Sequence, residues 1–312
     1  MTQSIQEAIA SLRTIRDIVR WAMTRMESEK ISLGHGAEDT WQEATFLVLR
    51  ALSLPFDRLE SFWDARLTDS ELRRVADLVE RRVADHVPVP YLLHEAWLVE
   101  HRFYVDENTL IPRSFIAELL EEQLEPWIED PDSIGSVLDM CTGSGCLAIL
   151  AAEAFPQARV TGVDISPKAL EVARVNRKDY ELEDRMDLVL SDLFDMPQVK
   201  RGKWDLIISN PPYVTTRAME NLPDEYRVEP SLALAAGDDG MDVVRRLLPE
   251  AASHLSENGL LVVEGGDGRE ALEAIWPDLP LTWLTVSAGD DLVFLATAQD
   301  LREYFSSKGL LA

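Results

Sequence analysis

The sequence is poor in cysteine: its 312 residues include two, Cys141 and Cys146, which lie within one short segment. So few cysteines argue against a disulfide scaffold and favour a protein that is kept in a reducing compartment. With so few sulfur ligands a zinc site is not expected, and no metal is predicted.

Long apolar runs are also lacking. No stretch of the sequence approaches the length that a membrane-spanning helix requires. The segment from Met1 to Arg20 carries alternating polar residues, unlike the continuous apolar stretch of a secretory signal. We therefore expect a soluble, cytoplasmic protein without a membrane partner.

Basic residues are also few relative to acidic ones. Lysine and arginine together number 30, against 56 aspartates and glutamates, which gives a formal net charge of −26. Because affinity for nucleic acid depends largely on Lys and Arg contacts to phosphate, DNA or RNA is disfavoured as a direct partner. An acidic surface would attract a basic protein partner, or would serve solubility alone, and the sign of the charge does not choose between them.

The length indicates a main domain of about 200 residues and a smaller one. In residues 1–87 apolar residues recur at three- and four-residue spacing, which predicts amphipathic helices. The three patterns are Ile5, Ile9, Leu12, Ile15 and Val19; Trp41, Ala44, Val48 and Ala51; and Leu72, Val75, Val79 and Val83. We predict a small helical domain over 1–87, with His35 as a turn residue between two glycines.

Residues 88–113 differ in character from the helical patterns before them. Pro88 and Pro90 come first, and an aromatic-rich alternation follows from Trp97 to Val105. Alternation with a period of two residues is typical of strands, so we predict a connector that contains a β-hairpin.

In residues 114–312 short apolar strands alternate with helical stretches, which predicts βαβ units and an α/β fold with a doubly wound parallel sheet. The strand segments lie at 137–139, 160–164, 188–190, 206–208 and 260–263. The last two runs, 281–286 and 292–298, are joined by only a few residues, including Gly289 and Asp290. A parallel pair needs a long crossover, so these two runs are expected to be antiparallel.

Asn210-Pro211-Pro212-Tyr213 directly follows the apolar run 204–209. The two prolines forbid a helix and hold the backbone extended, with carbonyl groups available as acceptors. Together with the Asn210 side-chain oxygen they could accept both hydrogens of a planar NH2 group, while Tyr213 offers a flat face. The pattern favours a site for an amide or an exocyclic base amine, although an ordinary proline-rich turn would explain the same residues.

A glycine loop, Gly143-Ser144-Gly145, follows the first strand of the predicted sheet and opens a helix, where glycine allows close approach of a ligand. Asp164 ends the second strand nineteen positions beyond Gly145, near the separation at which a carboxylate accepts hydrogen bonds from both ribose hydroxyls. Asp192 closes the third strand, where it could meet an adenine amine, with Phe194 near the ring. Asp164 as a capping carboxylate and Asp192 as a solvated loop residue both stay open.

An adenosine-containing cofactor of this kind could be a nicotinamide dinucleotide, because Gly143-x-Gly145-x-x-Ala148 satisfies the loose dinucleotide pattern. Hydride transfer, however, has no use for an NH2-binding loop after the fourth strand. S-adenosylmethionine fits both that loop and the antiparallel strand pair.

The chain resembles the Class I methyltransferases, whose Rossmann-like sheet ends in an antiparallel last strand. Residues 139–145, Asp-Met-Cys-Thr-Gly-Ser-Gly, are similar to their methionine-binding loop, and Asn210 to Tyr213 are similar to the motif of enzymes that methylate planar amino groups. Three further segments resemble the protein glutamine methyltransferases, most closely the subfamily that modifies large-subunit ribosomal protein L-three. They are Gly34-His35-Gly36-Ala37-Glu38-Asp39-Thr40-Trp41, Phe103-Tyr104-Val105-Asp106 and Ile111-Pro112-Arg113-Ser114.

The resemblance implies roles for individual residues and regions. The implied catalytic residues are Asn210, Pro211, Pro212 and Tyr213. The implied ligands of S-adenosylmethionine are Asp139, Thr142, Gly143, Ser144, Gly145, Asp164, Asp192, Phe194 and Asn210. Residues 1–87 would recognise the substrate and 114–312 would form the methyltransferase domain. Arg113 would order the connector, contact the substrate or form a surface ion pair, and the role of Glu264 in its acidic, glycine-rich segment stays open.

The acceptor implied by the resemblance is ribosomal protein L-three, before ribosome assembly, because an acidic chain would be repelled by exposed ribosomal RNA. Three alternatives remain. The release-factor glutamine methyltransferase shares the catalytic motifs but has a different helical domain. A DNA adenine methyltransferase would carry a basic groove, and a non-catalytic assembly factor would not need both loops intact.

Overall fold

The computed structural model describes residues 3–311. The chain divides into two compact units. Unit 1 comprises Met1–Ala96, Val105–Glu107 and Leu222–Glu229, and unit 2 comprises Trp97–Tyr104, Asn108–Asn221 and Pro230–Ala312. The predicted helical domain thus falls within unit 1, while the predicted connector is divided between the units. Substrate recognition by residues 1–87 stays a prediction.

Within residues 3–311, helices occupy the first third of the chain and the strands begin at Ala96. The helices are α1 (Gln3–Ser11), α2 (Ile15–Glu29), α3 (Thr40–Ala51), α4 (Leu59–Phe62), α5 (Asp69–Ala84), α6 (Val89–Leu93), α7 (Ile116–Glu121), α8 (Cys146–Ala154), α9 (Pro167–Asp179), α10 (Pro197–Lys200), α11 (Thr216–Glu220), α12 (Asp224–Arg227), α13 (Asp242–His254), α14 (Arg269–Ile275) and α15 (Ala298–Ser307). The strands are β1 (Ala96–Leu98), β2 (His101–Phe103), β3 (Ser136–Met140), β4 (Arg159–Asp164), β5 (Met186–Leu190), β6 (Trp204–Ser209), β7 (Leu255–Glu264), β8 (Thr282–Val286) and β9 (Gly289–Thr297). Short 3₁₀ helices lie at Phe56–Arg58, Pro131–Ser133 and Ser231–Ala233.

Unit 1 has a helical core formed mainly by α2, α3 and α5, whose apolar faces are buried together. The second and third predicted helical patterns correspond to α3 and α5. The first pattern spans two helices, because α1 ends at Ser11 and α2 begins at Ile15. Thr14 starts the new helix: its hydroxyl accepts a hydrogen bond from the Asp17 backbone, and the Asp17 carboxylate accepts one from the Thr14 backbone.

A buried arginine joins three parts of unit 1. The Arg82 side chain is 1% exposed and forms ion pairs with Glu43 and, at 3.1 Å, with Glu225. It also donates a hydrogen bond of 2.9 Å to the Ser32 carbonyl oxygen. Buried charges are stable where they are paired and hydrogen-bonded. These contacts explain why the segment Leu222–Glu229 groups with the helical unit despite its distant position in the sequence.

His35 lies in the loop before α3, and its ring is buried. Its Nε2 atom is 2.9 Å from a carboxylate oxygen of Glu229, and its ring centroid is 4.5 Å from that of Tyr226. The predicted turn residue therefore also has a fixed side chain inside unit 1.

β1 and β2 form a two-stranded sheet within residues 88–113, where a hairpin is predicted. Unit 2 contains a seven-stranded sheet in the order β5-β4-β3-β6-β7-β9-β8. Strands β3 to β7 pair in parallel, while β9 pairs antiparallel with both β7 and β8. The doubly wound α/β sheet and the antiparallel final pair are both as predicted.

Both faces of this sheet are buried under helices. Val137, Leu206 and Ile208 face a core shared with α7 and α8. Leu138 and Ile207, which alternate with them, face a second core shared with α13 and α15. Burial on both faces explains the continuous apolar runs of the central strands. Within the described part of the chain, no helix is both long enough and apolar enough to span a membrane.

Candidate active site

A cavity of about 260 Å³ opens at the carboxyl edge of the sheet in unit 2. It lies where β3 is flanked by β4 on one side and β6 on the other, the point at which open α/β sheets bind ligands. Five residues predicted from the sequence line it: Gly143, Asp164, Asp192, Asn210 and Pro212. The structure therefore brings the predicted cofactor loop and the predicted catalytic motif to one cavity.

The other predicted site residues do not contribute to the described cavity wall. Six of them are absent from its lining: Asp139, Thr142, Ser144, Gly145, Pro211 and Tyr213. Phe194 is buried and stacks on His254, with ring centroids 4.5 Å apart. Leu193 lines the cavity in its place, so the geometry gives Phe194 a core position instead of one beside the predicted adenine ring.

Asp164 ends β4 with both carboxylate oxygens hydrogen-bonded to backbone. One oxygen accepts from the Gly143 N–H at 2.8 Å and the other from the Ser166 N–H at 2.8 Å. A carboxylate offers about four acceptor positions, so capacity remains for a hydroxyl donor from a ligand. Burial raises the pKa of Asp164 despite these hydrogen bonds. The capping role of Asp164 and its predicted role toward ribose are therefore compatible.

The glycine loop owes its shape to two residues in the left-handed region. Gly143 has φ +54° and Gly145 has φ +81°. A Cβ atom at Gly145 would lie 3.3 Å from the Cβ of Ala173 on α9, so a side chain there would be both strained and crowded. The loop can therefore turn tightly from β3 into α8 beneath the cavity.

Asp139, at the end of β3, is completely buried beneath the loop. One carboxylate oxygen accepts hydrogen bonds from the Thr142 hydroxyl and, at 3.0 Å, from the Ala148 N–H. The other, Oδ1, has no hydrogen-bond partner among the described residues. Burial, with a smaller contribution from the Asp164 charge, raises the pKa of Asp139 to about 7. An unsatisfied buried carboxylate of this kind marks a place for a water molecule or a cationic ligand.

The raised pKa of Asp139 predicts how stability changes with pH. Between the ordinary pKa of 3.8 and about 7 the folded protein binds a proton that the unfolded chain does not. This group's contribution to stability is therefore complete below about pH 4 and is lost as the pH rises through about 7. Relative to Asp139→Asn, which cannot ionise, the wild type should lose roughly 2 kcal/mol of unfolding free energy between about pH 5 and about pH 7.

Urea unfolding of both proteins across this range, without ligand, measures that difference. Equal pH slopes for the wild type and Asp139→Asn would show that the carboxyl group is already ionised at about pH 5. Cofactor product should then be added to a second series, because its ammonium group, placed near Oδ1, would reduce the difference between the two slopes.

Asp192 lies at the mouth of the cavity beside Arg246. One carboxylate oxygen is 3.0 Å from an Nη atom of Arg246, and both side chains are substantially exposed. The hydrogen bond to Asp192 raises the pKa of Arg246. Exposed ion pairs contribute little to stability, so this pair does not prevent Asp192 from accepting a hydrogen bond from a ligand.

Asn210 has a defined orientation at the cavity. Its Nδ2 donates a hydrogen bond of 3.1 Å to the Arg113 carbonyl oxygen. Because a carbonyl oxygen can only accept, this contact fixes which end of the amide faces Arg113. The Asn210 side-chain oxygen accepts no hydrogen bond from any other residue in the range 3–311, so it is available to a donor in the cavity.

Tyr213 is held at its hydroxyl and along its ring. The hydroxyl donates to a carboxylate oxygen of Glu264 at 3.2 Å. Burial and then the nearby Glu264 charge raise the pKa of Tyr213, which keeps the phenol protonated. A Cβ atom at Gly266 would lie 2.7 Å from two ring carbons of Tyr213, so the absence of a side chain leaves room for the ring.

Several residues that line the cavity were not predicted from the sequence. They are Asn108, Leu110, Leu232, Ala235 and Arg246. Leu110 precedes the Ile111–Ser114 segment, which the family resemblance does identify. The stretch around Leu232 lies next to Val214, with which Ala235 forms a parallel bridge. That pairing is a long-range feature that spacing along the chain does not reveal.

The cavity fits the predicted adenosine-containing sulfonium cofactor. Acidic groups at Asp164 and Asp192 suit its ribose hydroxyls, amino groups and positive charge, and apolar residues such as Ile165 and Leu232 suit a flat base. Across residues 3–311 there is no cluster of three or more His, Cys, Asp or Glu side chains that could hold a metal ion.

Comparison with known proteins agrees with this geometry. The family model "Methyltransferase small domain" matches residues 117–224. A ribosomal protein uL3 glutamine methyltransferase from Burkholderia pseudomallei is 51% identical over 294 residues, which cover 93% of this chain and 96% of the relative. Proteins of the same name from Neisseria meningitidis serogroup A and Francisella tularensis are 48% and 44% identical, over 95% and 97% of this chain and 96% of each relative.

These relatives match both units nearly from end to end, and the cavity combines a glycine loop with an oriented asparagine at the carboxyl edge of the sheet. The chain belongs to the family of ribosomal protein uL3 glutamine methyltransferases, which are Class I methyltransferases that use S-adenosylmethionine.

Proposed function

We propose that this chain transfers a methyl group from S-adenosylmethionine to the side-chain amide nitrogen of a glutamine in ribosomal protein uL3. One observation carries the proposal for the chemistry: Asn210, with its side-chain oxygen available, lines the same cavity as Gly143 and Asp164. The acceptor protein is supported by the names of the relatives, which match nearly the whole chain.

A glutamine amide nitrogen is a weak nucleophile because its lone pair is delocalised into the carbonyl group. Catalysis must therefore come from placement and from polar groups around the NH2. The Asn210 side-chain oxygen and the Pro211 carbonyl would accept the two amide hydrogens, raise the electron density on nitrogen and fix its direction. Tyr213 would stack on the amide plane. The bound cofactor supplies an electrophilic methyl group on a sulfonium centre.

Removal of the surplus proton does not require a dedicated base. The methylated nitrogen becomes strongly acidic once the new bond has formed, so water can take the proton. The described residues that line the cavity include no histidine, in keeping with this order of events.

Three cavity residues would hold the cofactor. Asp164 would accept hydrogen bonds from the ribose hydroxyls, Gly143 would flank the methionine portion and Asp192 would accept from the adenine amine. Asp139, Thr142, Ser144 and Gly145 would act from beneath by shaping the loop. Phe194 is left out of this assignment because its ring packs on His254.

Replacing Asp164 with alanine should weaken binding of the cofactor product by roughly ten- to a hundredfold, because hydrogen bonds to a charged acceptor are lost. Isothermal titration calorimetry measures the change. Asp179→Ala, at the exposed end of α9, is the matched control and should bind as tightly as the wild type. Unchanged affinity in Asp164→Ala would remove Asp164 from the cofactor site.

The acceptor is tested by incubating the chain and isotopically labelled cofactor with purified uL3, a peptide-chain release factor or assembled large subunits. We expect label on free uL3, located on a glutamine by mass spectrometry, and little on the assembled subunit. Label on the release factor alone would reverse the assignment of the acceptor. Label mainly on assembled subunits would contradict modification before assembly.

The remaining parts of the proposal concern place and partner. Residues 1–87 would dock the basic acceptor protein, since the motif at Asn210 cannot by itself distinguish one glutamine from another. The reaction would take place in the cytoplasm, without direct binding of nucleic acid or membrane. An excess of acidic residues supports attraction of a basic protein.

A further inference from the structure

Glu264 is a buried carboxylate at the end of β7, with 3% of its surface exposed. One oxygen accepts hydrogen bonds from the Ser114 hydroxyl at 2.6 Å and from the Phe115 N–H at 2.9 Å. The other accepts from the Tyr213 hydroxyl at 3.2 Å. Three donors from two distant segments of the sequence therefore meet on one side chain.

A carboxylate in this position is costly unless its acceptors are used. Burial raises the pKa of Glu264, and the hydrogen bonds from Ser114, Phe115 and Tyr213 oppose that change. An apolar side chain could fill the same volume without such a cost. The presence of a glutamate therefore indicates a need for an acceptor that joins these groups.

The segment that Glu264 holds also orients Asn210. Arg113 directly precedes Ser114, and its carbonyl oxygen accepts the hydrogen bond from Asn210 Nδ2. Thus Asn210 is fixed directly to this segment, while Tyr213 is fixed to it through Glu264. The first and last residues of the catalytic motif are therefore both held by the backbone segment Arg113–Phe115.

The turn after Glu264 also restricts the position of Tyr213. Gly266 adopts φ +51° and lies against the Tyr213 ring, where a Cβ atom would clash. At the backbone, a Cβ atom at Gly240 would lie 2.4 Å from the Tyr213 carbonyl oxygen. Hydroxyl, ring and backbone of Tyr213 are each closely surrounded, so the side chain has little freedom once Glu264 accepts its hydrogen bond.

We propose that Glu264 is a positioning residue for methyl transfer, which joins Tyr213 to the Arg113–Phe115 segment and thereby holds the loop from Asn210 to Tyr213 in its productive shape. This inference rests on the proposed function of that loop. Displacement of a positioned group by about 1 Å can reduce a rate by about a hundredfold. The contribution of Glu264 is therefore expected in turnover, with little effect on cofactor binding.

The main variant is Glu264→Gln, which keeps the shape and an acceptor for Ser114 but removes the charge that faces Tyr213. We expect kcat for the protein acceptor to fall by roughly ten- to a hundredfold, with affinity for the cofactor product within about twofold of the wild type. Glu118→Gln is a matched control, because Glu118 also accepts from a serine hydroxyl and a backbone N–H, those of Ser287, but contacts no tyrosine in the described hydrogen bonds. It should leave kcat unchanged.

A double-mutant cycle with Tyr213→Phe separates positioning from general loss of structure. If Glu264 acts through the tyrosine hydroxyl, the double variant should be no slower than the slower single variant. Multiplying effects, or a Glu264→Gln enzyme with wild-type kcat, would overturn the proposal. Equal losses of kcat and cofactor affinity would overturn it as well, since they would indicate collapse of the whole site.

A spectroscopic test does not depend on the acceptor. Tyr213 has Glu264, Arg113 and Asp267 as its charged neighbours, and Glu264 is the one that also accepts its hydrogen bond. The difference in near-ultraviolet absorbance between a protein and its Tyr213→Phe variant at neutral pH isolates the absorption band of Tyr213. A phenol that donates to a carboxylate absorbs at longer wavelength than one without a charged acceptor, so in Glu264→Gln this band should move to shorter wavelength. If wild-type protein fails to methylate uL3 but the band moves, the proposed acceptor is wrong and the link between Glu264 and Tyr213 stands; an unchanged band overturns that link.

Discussion

Replacing Asn210 with alanine should lower turnover by roughly two to three orders of magnitude, the scale at which a preorganised polar contact stabilises a transition state. The side-chain oxygen that would accept an amide hydrogen disappears, and so does the hydrogen bond to the Arg113 carbonyl. Single-turnover kinetics with saturating cofactor and uL3 measure the chemical step. The cofactor site is formed mainly by other residues, so affinity for the cofactor product should change by less than about threefold.

Asn221→Ala provides the matched control for this experiment. Asn221 caps α11 on the exposed surface of unit 2, where its amide donates 2.8 Å to the Arg217 carbonyl oxygen. The same chemical change there should leave both constants at wild-type values. Near-normal turnover in Asn210→Ala would refute the role of Asn210 in gripping the acceptor amide, and a parallel loss of cofactor affinity would assign it to the cofactor instead.

The sheet, and the edge of it that carries the site, could be predicted because the sequence patterns that indicate them are local. A strand buried on both faces requires an unbroken apolar run, and 204–209 provides one that the structure confirms as β6. Polar residues that directly follow parallel strands must meet at one edge of the sheet. This rule alone places Gly143, Asp164, Asp192 and Asn210 around one cavity, as the structure does.

Within loops and between helices, the local backbone conformation decides where a side chain lies, and spacing along the sequence does not reveal it. Leu193 adopts φ +47°, which turns the chain so that Leu193 lines the cavity and Phe194 enters the core. Counting positions after β5 cannot reveal such a turn. Likewise the apolar spacing from Ile5 to Val19 continues across the boundary between α1 and α2, where the cap at Thr14 starts a new helix in which Ile15 and Val19 are buried.

Long-range polar contacts are the features that the sequence could not provide. No local pattern assigns a role to Glu264, since its partners Ser114 and Tyr213 are respectively 150 and 51 positions away. The grouping of Leu222–Glu229 with the helical unit depends on buried carboxylates whose partners precede residue 90. Residue type and spacing show that such groups are charged, but not which opposite charge they will meet.

Substitution of Arg82 by methionine should reduce the stability of unit 1 by about 3–5 kcal/mol, the usual cost of breaking a buried ion pair from one side. Burial acts to raise the pKa of Glu225, but hydrogen bonds from the backbone and from Arg82 outweigh it and hold the pKa below its ordinary value. Without the guanidinium group, Glu43 and Glu225 would remain buried as two uncompensated carboxyl groups. Hydrogen exchange of peptides from α3 and α5, followed by mass spectrometry, measures the loss within this unit.

Arg81→Met is the matched control, since Arg81 lies on the exposed side of the same helix and should change stability by less than about 0.5 kcal/mol. A compensated variant separates the effect of charge from that of packing. Arg82→Met combined with Glu43→Gln and Glu225→Gln leaves no unpaired buried charge in this cluster, so it should recover more than half of the lost stability. Exchange in Arg82→Met that matches the Arg81→Met control would show that the cluster contributes nothing to unit 1. A full loss that persists in the compensated variant would instead assign the effect to packing of the arginine side chain and to its hydrogen bond with Ser32.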